Sequence, residues 1–173
     1  VEKVRARLRR AARALEDANI PYAVAGGHAV AVHVAEVDEA AVRNTPDVDI
    51  IIRREDLECV KEVLTKEGFA YRHAATHDMF LDGPHAKGRD AVRVMFAREK
   101  TRPEYVLSLP DVEETKQTET ARYLPLESLV RMELSSFRTV NCVHLRDLID
   151  VGLLDSSWSA RLPAVLMDRL QSL

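Results

Sequence analysis

The chain has 173 residues, with 25 Lys and Arg against 28 Asp and Glu, a formal net charge of −3 and a pI near 6.1. That balance argues against a domain that tracks nucleic acid by bulk basic charge, and a hydrophobic content of 46% excludes global disorder. No apolar run approaches the roughly 20 residues of a membrane span, and the N-terminal VEKVRARLRR lacks a signal peptide's apolar core; the expected location is the cytoplasm.

Val4, Leu8, Ala11, Ala12 and Leu15 recur at helical spacing and predict an amphipathic helix ending near Asn19, ahead of Pro21. Its other face carries Arg5, Arg7, Arg9, Arg10 and Arg13. No aromatic residue interleaves with them, so a solvated face is expected rather than a nucleic-acid stripe. Tyr22 to Ala25 is a short apolar run stopped by Gly26 and Gly27, after which His28 to Val34 resumes rich in Ala and Val. This is strand, tight glycine turn, helix. From Asp47 to Ile52 the sequence DVDIII alternates charge with β-branched residues and then turns wholly apolar, which is strand behaviour. Asp47 and Asp49 then project from one face of that strand and Val48 and Ile50 from the other.

Arg54 to Lys66 reads as a helix on Leu57, Val60, Val63 and Leu64, with Gly68 as its terminal cap. Phe69 to His73, Asp78 to Leu81 and Ala91 to Ala97 read as three short strands, the last two joined by the turn-prone DGPHAKGRD. Lys100 to Thr120, with Pro103 and Pro110, reads as a loop. Leu126 to Arg138 and Asn141 to Leu154 are helical, Pro163 opens a short last helix, and Trp158 is expected to anchor the C-terminal segment. His73 and His77 are four apart, but in strand and loop rather than on the helix that would make them a metal pair. Cys59 and Cys142 have no CxxC partner and fall in helical stretches, predicting two reduced, partly buried thiols. The expected class is α/β (α+β): a small mixed sheet with helices on one face over residues 1–100, a linker over 101–122, and a helical C-terminal subdomain over 123–173.

The features with chemical content are the glycine turn between strand and helix and the DxD pair on the next strand. A turn at a helix N-terminus offers N–H groups and a positive dipole end to phosphate oxygens. Two carboxylates two residues apart on a strand converge on one point, which suits a Mg²⁺ that also grips phosphates. In this order, Val24-Ala25-Gly26-Gly27-His28 followed by Arg43-Asn44-Thr45-Pro46-Asp47-Val48-Asp49-Ile50 resembles the nucleotidyltransferase superfold of DNA polymerase β type, in particular the minimal and AbiEii-like groups. The resemblance covers about residues 20 to 100 through its motifs, and extends weakly to Ser136-Phe137-Arg138 and His144-Leu145-Arg146-Asp147-Leu148.

The resemblance implies that the Gly26 and Gly27 backbone, with His28, Arg43 and Thr45, holds the triphosphate of an NTP. It implies further that Asp47 and Asp49 are catalytic and ligate Mg²⁺ for transfer of a nucleoside monophosphate to a hydroxyl on a protein, RNA or small molecule.

Members of the superfamily usually carry a third carboxylate on a later strand. Here Asp90 to Phe96 places Val92, Val94 and Phe96 in the core, leaving Arg93 on the face where Asp47 and Asp49 point. A fixed positive charge about 5 Å from a divalent cation opposes its binding by several kcal/mol even at an effective dielectric near 20. His28 stands where a Ser or Thr hydroxyl usually contacts phosphate. Glu133 lies inside the apolar stripe of Leu126, Leu129, Val130, Leu134 and Phe137, where a carboxylate needs a partner. Two arrangements are open: an ion pair of Glu133 with Arg93 closing the cleft, or Glu133 reaching solvent at the end of the stripe while Arg93 snorkels from the sheet face. Two functions follow: Mg²⁺-dependent nucleotidyl transfer, or a catalytically degenerate domain of the same fold that binds a nucleotide or a protein partner, as in a toxin–antitoxin pair. A plain structural domain is the third.

Overall fold

A computed structural model describes all 173 residues. In chain order the elements are α1 (Glu2–Asp17), β1 (Tyr22–Ala25), α2 (Gly26–Ala35), β2 (Val48–Ile52), α3 (Leu57–Lys66), β3 (Ala70–Ala74), β4 (His77–Leu81), β5 (Ala91–Phe96), β6 (Lys116–Gln117), β7 (Arg122–Tyr123), α4 (Leu126–Ser136), α5 (Thr139–Asp150) and α6 (Ala164–Gln171). The strands form one mixed sheet in the order β3-β4-β5-β2-β1-β7-β6. β1 runs antiparallel to β2 and parallel to β7, while β2 and β5 are parallel.

The wholly apolar end of β2 has a direct cause. Ile50 and Ile51 point to opposite faces of the sheet and are both buried, so this central strand is covered on both sides. No helix is long and apolar enough to cross a membrane.

One strand, β6, lies in the stretch that the sequence presents as a loop, and β7 follows just beyond it. β6 and β7 are two residues each, too short to show any alternation, yet Leu124 N donates to Val24 O at 3.0 Å and ties the segment to β1. Leu109 and Val112 of the same stretch are buried in the core. Leu129, Val130 and Leu134 of α4 and Leu145 and Leu148 of α5 belong to that same core, which sheet and C-terminal helices therefore share.

Arg5, Arg9 and Arg13 of α1 are exposed as expected, but Arg7 and Arg10 depart from the solvated face. Arg7 is 3% exposed, and its fork reaches two carboxylates of the β4–β5 connection, Nε to Asp82 at 3.2 Å and Nη2 to Asp90 at 3.1 Å. Arg10 also donates to Asp82. An arginine stem packs against apolar surface while its planar head satisfies two acceptors, so α1 pins both ends of the DGPHAKGRD turn. Cys59 is exposed rather than partly buried, while Cys142 is half-buried; both are free thiols. Trp158 is buried and donates Nε1–H to Leu153 O at 3.1 Å, an anchor for the C-terminal segment.

Candidate site at the glycine turn and the Asp-Val-Asp strand

The antiparallel register of β1 and β2 places Ala25 opposite Asp49, so the chain leaves β1 directly beside that carboxylate. Gly26 adopts φ +60°, and a Cβ there would lie 2.7 Å from Asp49 Oδ2. A Cβ on Gly27 would meet Thr45 Cβ at 2.9 Å. Both glycines are thus required by close approach of the chain's own side chains, Asp49 to one and Thr45 to the other.

The parallel register of β2 and β5 pairs Asp49 with Arg93 on the face predicted from alternation. Arg93 Nε donates to Asp49 Oδ1 at 2.7 Å and Nη2 to Oδ2 at 3.2 Å, and the same Nη2 lies 3.1 Å from Asp47 Oδ2. One guanidinium spans both carboxylates. Burial raises the Asp49 carboxyl above its ordinary pKa, and the charge and hydrogen bonds of Arg93 oppose that rise.

Neither arrangement open to Glu133 is formed: it does not pair with Arg93, and it does not reach solvent. Glu133, 0% exposed on α4, accepts from Asn141 Nδ2 at 2.6 Å and is bonded by His144 Nδ1 at 3.1 Å. Asn141 and His144 stand three apart on α5 and so share the face turned to α4, whereas Arg93 meets Asp49 and Asp47 first on its own sheet. Burial disfavours charge on His144, but the Glu133 hydrogen bond and the carboxylates of Glu133, Asp147 and Asp49 outweigh it and raise its pKa. A histidine whose folded pKa lies above its unfolded value of about 6.5 stabilises fully below that value and loses the contribution as pH rises through the folded pKa. The stability difference between the unaltered protein and His144→Gln should therefore be larger at pH 6 than at pH 9 in urea melts, and a pH-independent difference would refute the assignment.

Arg43 is held by Asp147, Nε to Oδ2 at 3.0 Å and Nη2 to Oδ1 at 2.9 Å, and Thr45 Oγ1 accepts from Asp47 N at 3.3 Å. A cleft of about 220 Å³ gathers Gly27, Arg43, Thr45, Asp47, His144 and Asp147. His28 turns away from it toward a second cavity, with Nε2 buried and unpartnered. Burial, then the charge of Arg5, lowers the His28 pKa, with Asp47 opposing. Sequence reasoning passed over His144, Asp147 and Asn141 as site residues. The signal available was HLRDL on a helix adjoining the one that carries Glu133.

These donors do not fit a Mg²⁺ ion. Mg²⁺ demands oxygen ligands at about 2.0–2.1 Å in octahedral array, but both carboxylates already hold a fixed cation and no three acidic, His or Cys side chains converge as a metal set.

A family model described as an uncharacterised nucleotidyltransferase matches residues 2–118, more than half the chain. The chain belongs to this nucleotidyltransferase family. Among solved structures, the family member resembles the antibiotic-resistance factor ANT(2'')-Ia in solution, with a TM-score of 0.58 and 12% identity over 97% of this chain and 89% of that one. The crystal structure of ANT(2'')-Ia in complex with adenylyl-2''-tobramycin gives 0.57 and 14% over 94% of each chain. The Megavirus polyadenylate synthase gives 0.50 and 11% over 99% of this chain and 34% of that one. At such identities the likeness is one of fold. No curated protein matches this nucleotidyltransferase-family chain.

Proposed function

We propose that this chain is a nucleotidyltransferase-fold domain that binds a nucleotide at the glycine turn without metal-dependent transfer. The observation that carries this reading is the single guanidinium of Arg93 on both Asp47 and Asp49. Two-metal transfer needs carboxylates free to ligate and a third acid beside them; here the third position supplies the opposite charge. Arg93 stays 39% exposed, so it remains accessible to a phosphate as a fixed cation in place of a metal. The N–H groups opening α2, with Thr45 and Arg43 on the facing strap, supply the remaining phosphate contacts.

The adenylyl group and the polyadenylate named for the two structural neighbours make ATP the first nucleotide to test. In EDTA, ATP should raise the melting temperature of the full chain, following the linkage of ligand to folding. With Mg²⁺ and labelled ATP, neither pyrophosphate nor a modified product should appear. Transfer to a hydroxyl acceptor is the second reading, favoured by the survival of Asp47 and Asp49 on one face. Pyrophosphate release by the unaltered protein, abolished in Asp49→Asn, would decide for it.

A further inference from the structure

A second cavity, larger than the cleft, lies outside the carboxylate–arginine cluster. Its volume is about 600 Å³, against about 220 Å³ for the cleft, and it is bounded by α1, α2, the strap around Val42 to Thr45, and β7. The wall is apolar where Leu8, Ala31, Val32 and Val42 meet. Its charged lining is basic: Arg5, Arg9 and Arg43 outnumber Glu2 and Glu39.

Arg5 distinguishes this cavity from ordinary surface. On α1, Arg7 and Arg10 are bonded to Asp82, Arg9 to Glu2 and Arg13 to Asp17, whereas Arg5 has no carboxylate within ion-pair range. His28, on the facing wall, carries a ring nitrogen that is buried without a partner. The two are close enough that the charge of Arg5 lowers the His28 pKa, after the larger effect of burial. An unpaired guanidinium at the edge of a partly apolar hollow is a fitting host for an anion attached to an apolar body.

We propose that the cavity between α1 and α2 binds a phosphate-bearing small molecule with a flat, partly apolar body, of the class of a nucleoside monophosphate. Arg5 receives the phosphate, while Leu8, Val32 and Val42 cover the base. The volume falls within the roughly 300–1,000 Å³ typical of small-molecule sites. The cavity and the cleft share Ala31, Arg43, Asn44 and Thr45, but Arg5, Leu8, Val32 and Val42 line the cavity alone and Asp47, Val143 and His144 the cleft alone, so variants at these positions separate the two sites.

Calorimetric titration of the full chain with AMP in EDTA tests the proposal. Saturable binding is expected, weakened by about tenfold or more in Arg5→Glu and abolished in Val42→Trp, which fills the cavity. Val143→Trp, which narrows the cleft, should leave AMP affinity unchanged. Arg5 is exposed and free of partners, so its variant keeps the fold, as an unchanged melting curve should verify. Absence of AMP binding at millimolar concentration overturns the proposal. So does binding that Arg5→Glu and Val42→Trp leave intact, or that Val143→Trp removes. Equal affinity for inorganic phosphate and AMP overturns the nucleoside class. An ATP-induced melting shift that Val42→Trp removes and Val143→Trp leaves intact, with AMP binding retained, counts against the cleft reading alone.

Discussion

Arg93→Ala should lower stability by about 2–3 kcal/mol and, unlike the unaltered protein, should melt at a temperature that depends on Mg²⁺. Removing one partner of a buried ion pair costs about 3–5 kcal/mol because the other charge is left uncompensated. The lower figure applies here because Arg93 is 39% exposed and Asp47 46%. The variant leaves Asp49, 18% exposed, facing Asp47 with no cation between them, which is the arrangement that attracts a divalent ion. Millimolar MgCl₂ should then recover part of the lost stability by mass action. Thermal melts with and without Mg²⁺ read both effects. A Mg²⁺-dependent melting temperature in the unaltered protein would overturn the claim that Arg93 occupies the cation position.

Gly26→Ala should cost about 3 kcal/mol, through two separate penalties. The left-handed conformation costs a non-glycine residue about 1 kcal/mol or more, and the new Cβ would sit 2.7 Å from Asp49 Oδ2, which is itself clamped by Arg93. Relief of the clash requires the chain or the Asp49–Arg93 pair to shift, so the second penalty is of the size of the first or larger. Gly152→Ala supplies the comparison: it also has positive φ, +79°, but nothing lies within 4 Å of its Cβ position. That variant should lose only about 1 kcal/mol. Equal losses in urea denaturation would show that the approach of Asp49 to the turn contributes nothing.

Both expectations trace to one face of the sheet, and that face was legible early. Alternation in DVDIII put Asp49 on a side opposite Ile50, and the same rule applied to AVRVMF put Arg93 there too, because side chains on a strand have a period of two whatever the strand pairs with. The need of Glu133 for a partner was legible for a similar reason: the helical wheel places it among Leu129, Val130 and Leu134, and an unpaired carboxylate is not stable there. The identity of that partner was not. It depends on how α5 folds back on α4, which brings Asn141 and His144 to Glu133 while β5 carries Arg93 to Asp49.

By itself the sequence determined the order of the main elements, the glycine turn, the paired aspartates and the arginine on their face, because these follow from local periodicity and backbone freedom. Only the tertiary structure decided that Arg93 clamps Asp47 and Asp49, that Arg7 is buried against Asp82 and Asp90, and that Lys116–Gln117 and Arg122–Tyr123 join the sheet. The two arginine contacts and the pairing of Tyr123 with Val24 join residues distant in the chain. Local propensity carries no information about such contacts, whereas burial and charge select among them once the layers are packed.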